Sequence, residues 1–322
     1  MKFRLNGVEK SYNGDPDLSL LKYLREYENL ISPKDGCSPQ AACGACTVEL
    51  NGKAVLSCVT PMSKVIGCEV YTTEGIDDHI KNAIVYAFAH YGAVQCGFCT
   101  PGIFMRTKIF LENNPNPSKE DVTKILKYHL CRCTGYHKII NASLSAARAL
   151  RDQGDLNIKL SKGVVGSRQK RYEVEKLILG TRPFVADLKL KNMSYGALKF
   201  SDHPRAKILS IDFESAKKLD GVISVFTAES IPGERAIGLI TRDWPIMIKE
   251  GETTHYIGDV LAGVVAEDEE IARSAVELID VRYEIKEPIT DVHEAIKSES
   301  ETVHNGRSNI LDMFAVKRGD VD

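Results

Sequence analysis

No cysteine occurs after residue 133 of the 322-residue chain. The N-terminus, MKFRLNGVEK, lacks the apolar core of a secretory leader. A reducing cytoplasm is therefore the expected compartment, and a disulfide framework is not expected. The longest apolar run, residues 260–266, falls far short of the about 20 residues needed to cross a bilayer, so no membrane segment is expected. There is no P-loop, GxGxxG or GxSxG motif, which leaves nucleotide binding and serine hydrolysis without support. The eight histidines show neither HExxH nor HxxxH spacing. No excess of one charge exists either. Lys and Arg number 42 against 44 Asp and Glu, a net charge of −2, which argues against a nucleic-acid partner.

The sequence does carry nine cysteines, at 37, 43, 46, 58, 68, 96, 99, 131 and 133. Clustered thiols in a reducing compartment read as metal binding or redox chemistry. The length suits two or three domains at about 100–200 residues each.

Residues 1–74 read as a small β-rich domain. Asn6-Gly7 and Asn51-Gly52 are hairpin turn signals between alternating segments, and residues 65–71 are a further strand candidate. Residues 18–28 carry apolar positions at helical spacing. Residues 75–152 read as four helices. Ile76, Ile80, Ala83, Ile84, Ala87 and Phe88 trace one helix face, Thr100 is the expected cap of a helix opening with Pro101, and Ser118 with Asp121 opens another. Residues 153–172 are polar and basic and read as a linker. Residues 173–322 mix strands, at 194–200, 207–213, 221–227, 259–266 and 279–284, with an amphipathic helix at 269–278.

The first cysteine set is Cys37-x5-Cys43-x2-Cys46-x11-Cys58. Three thiolates from one loop and a fourth from the next hairpin suit a [2Fe–2S] rhombus, because thiolates are soft, charged iron ligands. Ala41, Ala42, Gly44 and Ala45 are small enough to let backbone amides approach the sulfides. The second set pairs Cys96-x2-Cys99 with Cys131-x-Cys133. A zinc ribbon is the competing reading of this set, although a CxC pair on a helical bundle departs from the usual repeated CxxC. Cys68 is left over and reads as a buried core thiol. His129 and His137 flank the second set and read as packing or surface residues rather than ligands.

The segments Asp35-Gly36-Cys37 through Cys46-Thr47-Val48, Asn51-Gly52 and Ser57-Cys58 resemble the ferredoxin-like domain of the molybdenum hydroxylases, the family of xanthine dehydrogenases and aldehyde oxidoreductases. Residues 95–102 (QCGFCTPG) and 130–136 (LCRCTGY) resemble the family's helical second-cluster domain. Asp187-Leu188, His203-Pro204-Arg205-Ala206, Leu219-Asp220-Gly221-Val222 and Tyr256-Ile257-Gly258-Asp259 are similar, more weakly, to its hammerhead domain. The implied fold is α+β and multidomain: a β-grasp [2Fe–2S] ferredoxin-like domain over 1–74, a four-helix [2Fe–2S] bundle over 75–152, a linker over 153–172 and an α/β hammerhead domain over 173–322.

The resemblance also implies roles. Cys96, Cys99, Cys131 and Cys133 would hold a cluster near molybdenum, and Cys37, Cys43, Cys46 and Cys58 an outer one. Gln95 and Cys133 match positions that contact the molybdopterin. Electrons would pass from molybdenum through both clusters to an external acceptor. The catalytic residues and most of the molybdopterin site are expected in domains beyond this sequence, so no residue here is expected to be catalytic and the chain alone is expected to be inactive. No flavin domain separates the helical and hammerhead segments. FAD is thus expected elsewhere, on a separate flavin subunit, or replaced by another acceptor. Molybdopterin-binding domains or a molybdopterin-binding subunit are the expected partners, and the full enzyme is expected to be a homodimer. The long Cys37–Cys43 gap resembles selenium-dependent xanthine dehydrogenase-like members, which implies xanthine or a related N-heterocycle as substrate. An aldehyde substrate is the alternative, and a stand-alone two-cluster electron carrier is another.

Overall fold

The computed structural model describes residues 1–152, 163, 165–167, 169–304 and 306–320. Much of the expected linker, residues 153–162, 164 and 168, lies outside the described residues. The chain divides into two compact units, Met1–Leu188 and Lys189–Asp322.

The first unit opens with a five-stranded sheet of order β2-β1-β5-β3-β4, formed by β1 (Lys2–Leu5), β2 (Val8–Ser11), β3 (Thr47–Leu50), β4 (Lys53–Leu56) and β5 (Glu69–Tyr71). β1 and β5 are parallel; the other pairings are antiparallel. Both hairpins turn on the expected Asn-Gly pairs. Asn6 and Gly7 (φ 50° and 80°) and Asn51 and Gly52 (φ 48° and 75°) all adopt the left-handed backbone that two-residue hairpins favour.

The helix expected at 18–28 is a single turn, α1 (Leu20–Lys22), that widens into a π-helical turn, Tyr23–Tyr27. Tyr23 stacks on Tyr27 at 5.6 Å and meets Phe3 edge-on at 5.5 Å. Residues 65–71 also differ from expectation. Met62–Val65 is a 3₁₀ turn and Gly67 reverses the chain at φ 69°, so only Glu69–Tyr71 pairs. Cys68 therefore sits in a turn, half-buried, with its thiol 3.5 Å from the Lys64 carbonyl.

Four helices follow: α2 (Asp78–His90), α3 (Thr100–Asn113), α4 (Lys119–Leu126) and α5 (His137–Asp152). Ile84 and Phe88, Ile103 and Phe104, Val122 and Leu126, and Ile139 and Ala142 contribute to one core from these four helices. Ser118 and Asp121 form the expected reciprocal cap of α4. Thr100 does not cap α3. The Cys96–Cys99 loop turns through Gly97 (φ 87°), the Thr100 N–H already bonds the Gly97 carbonyl, and Cys99 becomes the cap residue.

The division expected after residue 172 also moves. α6 (Val174–Leu179) and the turn Val185–Asp187 belong to the first unit, because Val174, Leu177 and Ile178 complete the bundle core.

The bundle packs on the sheet through a close backbone contact and a buried ion pair. A Cβ added at Gly102 on α3 would lie 2.4 Å from the Gly44 carbonyl oxygen and 3.1 Å from that of Ala45. Two turns along α3, the buried Lys108 ammonium lies 2.7 Å from Glu49 on β3 and 2.9 Å from Glu112.

In the second unit, β6 (Tyr195–Phe200), β8 (Val222–Thr227) and β11 (Val260–Ala266) form a three-stranded antiparallel sheet with β11 central. β11 is the long apolar run seen in the sequence; Leu261, Ala262, Val264 and Ala266 are all at 0% exposure. β7 (Ala206–Asp212) pairs with β12 (Asp280–Ile285), and α8 (Glu269–Glu277) contributes Ala275 and Val276 to the shared core. The short pieces α7 (Glu214–Lys217), β9 (Ala236–Ile237), β10 (Trp244–Pro245) and α9 (Val292–Ala295) had no clear signal in the sequence.

Replacing a helical glycine with alanine ordinarily stabilises a helix by about 1 kcal/mol. At Gly102 the added methyl would overlap the Gly44 carbonyl. Gly102→Ala is therefore expected to destabilise the first unit by about 1–3 kcal/mol, the cost typical of overpacking. Urea unfolding followed by far-UV circular dichroism measures this.

Candidate functional site

The eight cysteines singled out by spacing fall into two groups, and within each group the thiols come in pairs. Cys37 lies beside Cys43, and Cys46 beside Cys58. In the second group Cys96 Sγ and Cys133 Sγ are 3.6 Å apart, and Cys99 lies beside Cys131. All are free thiols.

The outer group is held by a loop whose backbone turns inward. Ser38 (φ 40°), Ala41 (φ 55°) and Gly44 (φ 71°) are left-handed. This brings the amides of Ala42, Cys43 and Gln40 onto Cys37, that of Ala45 onto Cys43, and that of Ala41 onto Cys58. The amides hold the Cys37 thiol below its ordinary value. Burial dominates at Cys43 and Cys58, and pushes Cys58 up to about 12. Cys58 lies on the 3₁₀ turn Ser57–Val59, where the Ser57 hydroxyl donates to the Cys46 carbonyl and keeps the two segments together.

The second group lies at the start of α3 and in the loop between α4 and α5. Burial raises the Cys96 and Cys99 thiols. At Cys131 burial is outweighed by the Thr134 hydroxyl, 3.1 Å away, and by nearby amides, so this thiol falls below its ordinary value. Tyr136 clamps the loop. Its hydroxyl accepts from the Cys131 N–H at 2.8 Å and donates to the His129 carbonyl at 3.0 Å. Gln95, Cys96 and Cys133 are exposed, and the Gln95 side-chain amide donates to the Cys133 carbonyl at 3.0 Å. The two residues expected to face the molybdopterin therefore adjoin at one surface edge.

The two groups share a backbone seam. The Leu130 N–H donates to the Cys43 carbonyl at 2.9 Å, joining the chain beside Cys131 to an outer cysteine. His129 is buried at this seam. A Cβ on Gly44 would lie 2.6 Å from its Nδ1, and its Nε2 accepts from Arg106 at 3.4 Å. Burial, with Arg106 beside it, pushes the imidazole down to about 3 and keeps it neutral. His129 is thus a packing residue, and His137 is exposed at the start of α5. Tyr136 and His129 lay inside or beside motifs visible in the sequence, but their clamping roles had no signal there. They depend on contacts the fold creates.

The cysteine geometry fits binuclear clusters. A single zinc ion needs four thiolates converging on one point at about 2.3 Å. Among the described residues no three metal-binding side chains converge in that way. Eight free thiols in two groups of four match the donor set of two binuclear clusters, each iron taking two cysteines. The raised thiols would keep their protons until a metal displaces them.

Three family models match the chain: "2Fe-2S iron-sulfur cluster binding domain" over residues 3–64, "[2Fe-2S] binding domain" over 72–144, and "Aldehyde oxidase and xanthine dehydrogenase, a/b hammerhead domain" over 179–287. The aldehyde oxidoreductase of Megalodesulfovibrio gigas is 32% identical across 98% of this chain, which spans 37% of that protein. The small FeS subunit of nicotinate dehydrogenase from Eubacterium barkeri is 41% identical over 43% of this chain and 88% of its own length. The solved structure of aldehyde oxidoreductase from Desulfovibrio gigas superposes with a TM-score of 0.89 at 30% identity, covering 96% of this chain and 36% of that one. The chain thus spans just over a third of the full-length aldehyde oxidoreductases it matches. Two [2Fe–2S] domains followed by a hammerhead domain, together with these likenesses, show that the chain belongs to the molybdenum hydroxylase family of xanthine dehydrogenases and aldehyde oxidoreductases, as an iron–sulfur and hammerhead part.

Proposed function

We propose that this chain is the electron-transfer part of a molybdenum hydroxylase, linking a molybdopterin centre to an external electron acceptor. The observation that carries the reading is the arrangement of two four-cysteine centres about one hydrogen-bonded seam, with one edge of the second centre open at Gln95 and Cys133. Cys37, Cys43, Cys46 and Cys58 would hold one [2Fe–2S] cluster, and Cys96, Cys99, Cys131 and Cys133 the other. Each cluster, when bound, stores and releases one electron. The protein holds the thiols in pairs, aims amides at their sulfurs and joins the two cysteine loops through the Leu130–Cys43 hydrogen bond. The exposed Gln95 side chain, fixed to the Cys133 carbonyl, is the contact offered to molybdopterin.

Molybdopterin-binding domains or a subunit carrying them are the partners, and FAD belongs to another domain or chain. The compartment is the cytoplasm, and the full enzyme is a homodimer. Among the described residues no helix is long and apolar enough to cross a membrane. Two substrate classes each have an observation behind them. The aldehyde reading is favoured by likeness to aldehyde oxidoreductase along nearly the whole chain. The N-heterocycle reading, xanthine or a relative, is favoured by the long Cys37–Cys43 loop and by the likeness of residues in the first unit to the nicotinate dehydrogenase small subunit.

Reconstituted protein is expected to hold about four irons with matching acid-labile sulfide, and its dithionite-reduced form to give two distinct rhombic EPR signals. One cluster with stoichiometric zinc would refute the assignment of the second group.

Cys99→Ser is expected to remove one EPR signal selectively, while Cys68→Ala should leave both, since the Cys68 thiol meets the Lys64 and Ile66 carbonyls. Loss of a signal in Cys68→Ala would require a different outer ligand set.

With a molybdopterin-binding polypeptide supplied, an aldehyde or an N-heterocycle should bleach the visible absorbance of both clusters. Clusters that stay oxidised with both substrate classes would count against the electron-transfer reading.

A further inference from the structure

Lys34 is among the largest side chains that the fold buries completely, at 1% exposure. It stands three residues before Cys37, and its own N–H donates to the Ala45 carbonyl, next to Cys46. A lysine ammonium in such a place needs an anion. The one that meets it belongs to a distant part of the chain. Asp187, 153 residues later and with its side chain also buried, places Oδ2 2.8 Å from Lys34 Nζ. Its Oδ1 accepts from Arg25 at 2.6 Å, and Oδ2 also accepts from the Phe184 N–H at 2.9 Å.

The segment that delivers Asp187 touches both cysteine loops. Leu177 fills the space beside Gly97, between Cys96 and Cys99, where a Cβ would lie 2.9 Å from it. Gly180 (φ 74°) passes against Pro101 at the start of α3 and against Ser32 before the outer loop. The Thr73 hydroxyl fixes the Leu179 carbonyl at 2.6 Å. The Phe184 ring then meets Phe98, also between Cys96 and Cys99, at 5.4 Å, and the Lys34 ammonium lies 5.1 Å from the centre of the same ring. Phe98 in turn closes on Gly36, where a Cβ would sit 3.1 Å from its ring and 3.0 Å from Cys43 Sγ.

We propose that residues 173–188 form an internal strap whose Asp187 anchors Lys34, and that this anchor holds the outer cysteine loop in its cluster-binding form. Asp187 and Lys34 are positioning residues: neither touches a cysteine sulfur. The loop's grip on its cluster depends on an ion pair closed by a segment beyond both cysteine domains. Coupling of this kind is reciprocal, so a loosened strap weakens the outer loop and an emptied outer loop loosens the strap. The inference rests on the proposed ligand sets.

The test uses the full chain, reconstituted as wild type, Asp187→Asn, Lys34→Met and the double variant. Each is challenged with an iron chelator while both EPR signals are followed, with Cys99→Ser identifying the inner one. Asp187→Asn leaves the buried Lys34 ammonium without its anion, whereas Lys34→Met leaves Asp187 still paired with Arg25, so the outer signal should decay about tenfold faster in the first and by a smaller factor in the second, while the inner signal keeps its wild-type rate in both. The double variant removes both charges with side chains of similar shape, and the amide oxygen introduced by Asp187→Asn can still accept from Arg25. Arg25 also keeps the Pro33 carbonyl at 2.9 Å. The outer signal of the double variant should return to within about threefold of the wild-type rate. Equal decay in all four proteins overturns the strap. So does faster loss of both signals without rescue in the double variant, which marks a general loss of stability. A wild-type chain lacking an outer signal at the start refutes the ligand reading itself, a failure distinct from either of these.

Discussion

The close approach of two backbones at Gly44 and Gly102 is the constraint on which the first unit depends. Gly44 lies between Cys43 and Ala45 in the outer loop, and Gly102 lies in the first turn of the helix that begins at Cys99. A Cβ on Gly102 would overlap the Gly44 carbonyl, and a Cβ on Gly44 would overlap the Tyr128 carbonyl and the His129 ring, so the two glycines let the outer loop close on the start of α3 and on the loop before Cys131. The Leu130–Cys43 hydrogen bond can form because the two loops are already that close. The neutral, buried His129 occupies the remaining space beside Gly44. Two independent cysteine domains would not need such a seam. A relay would, because electron transfer falls off steeply with distance and a rigid gap fixes the rate.

Around the seam, the unit places charges where apolar packing would have been easier. Lys108 with Glu49 joins the bundle to the sheet, and Lys34 with Asp187 and Arg25 joins the final segment to the outer loop. A buried pair adds little net stability, but stranding one partner typically costs about 3–5 kcal/mol. Such pairs therefore act less as glue than as a penalty on every alternative docking. Burial alone would raise the Asp187 carboxyl. Hydrogen bonds from Lys34, Arg25 and the Phe184 amide outweigh it and hold the group below the usual carboxylate range, so the anion persists inside the protein.

What could be read from the sequence divides along the range of the interaction. Local chemistry was legible. Asn6-Gly7 and Asn51-Gly52 make their turns, Ser118 and Asp121 cap their helix, the four-helix pattern of 75–152 holds, and every long strand of the second unit lies within a residue of its expected span. Spacing within a loop is local too, so Cys37, Cys43 and Cys46, and separately the pairs Cys96/Cys99 and Cys131/Cys133, stood out in the sequence. The misreadings came from tertiary context. Residues 18–28 pass into a π turn where Tyr23 and Tyr27 stack, Gly97 starts α3 one residue before Thr100 could cap it, and Gly67 takes Cys68 out of its strand. The segment 173–188 lacks any local mark of belonging to the first unit. Its partners, Lys34, Gly97 and Phe98, are far away in sequence, and no pattern within the segment points to them.

The two proposed centres also differ in how they tie metal binding to folding. In the outer group, Cys37 and Cys43 pair within one loop, and Cys46 pairs with Cys58 across a single hairpin. Those pairs close short segments beside the sheet. In the second group each pair takes one thiol from the start of α3 and one from the loop before α5. Cys96 joins Cys133 and Cys99 joins Cys131, so the two connections are nested. Closing the longer loops removes more freedom from the unfolded chain, so a cluster there contributes more to folding per site. It also binds helices that already share a core with Val174, Leu177 and Ile178. The centre with the exposed edge at Gln95 and Cys133 is therefore the one most tightly built into the tertiary structure. The outer centre sits in a loop whose tip, Ser38 to Ala42, is exposed, and its long-range support comes from the seam at Gly44 and the ion pair at Lys34.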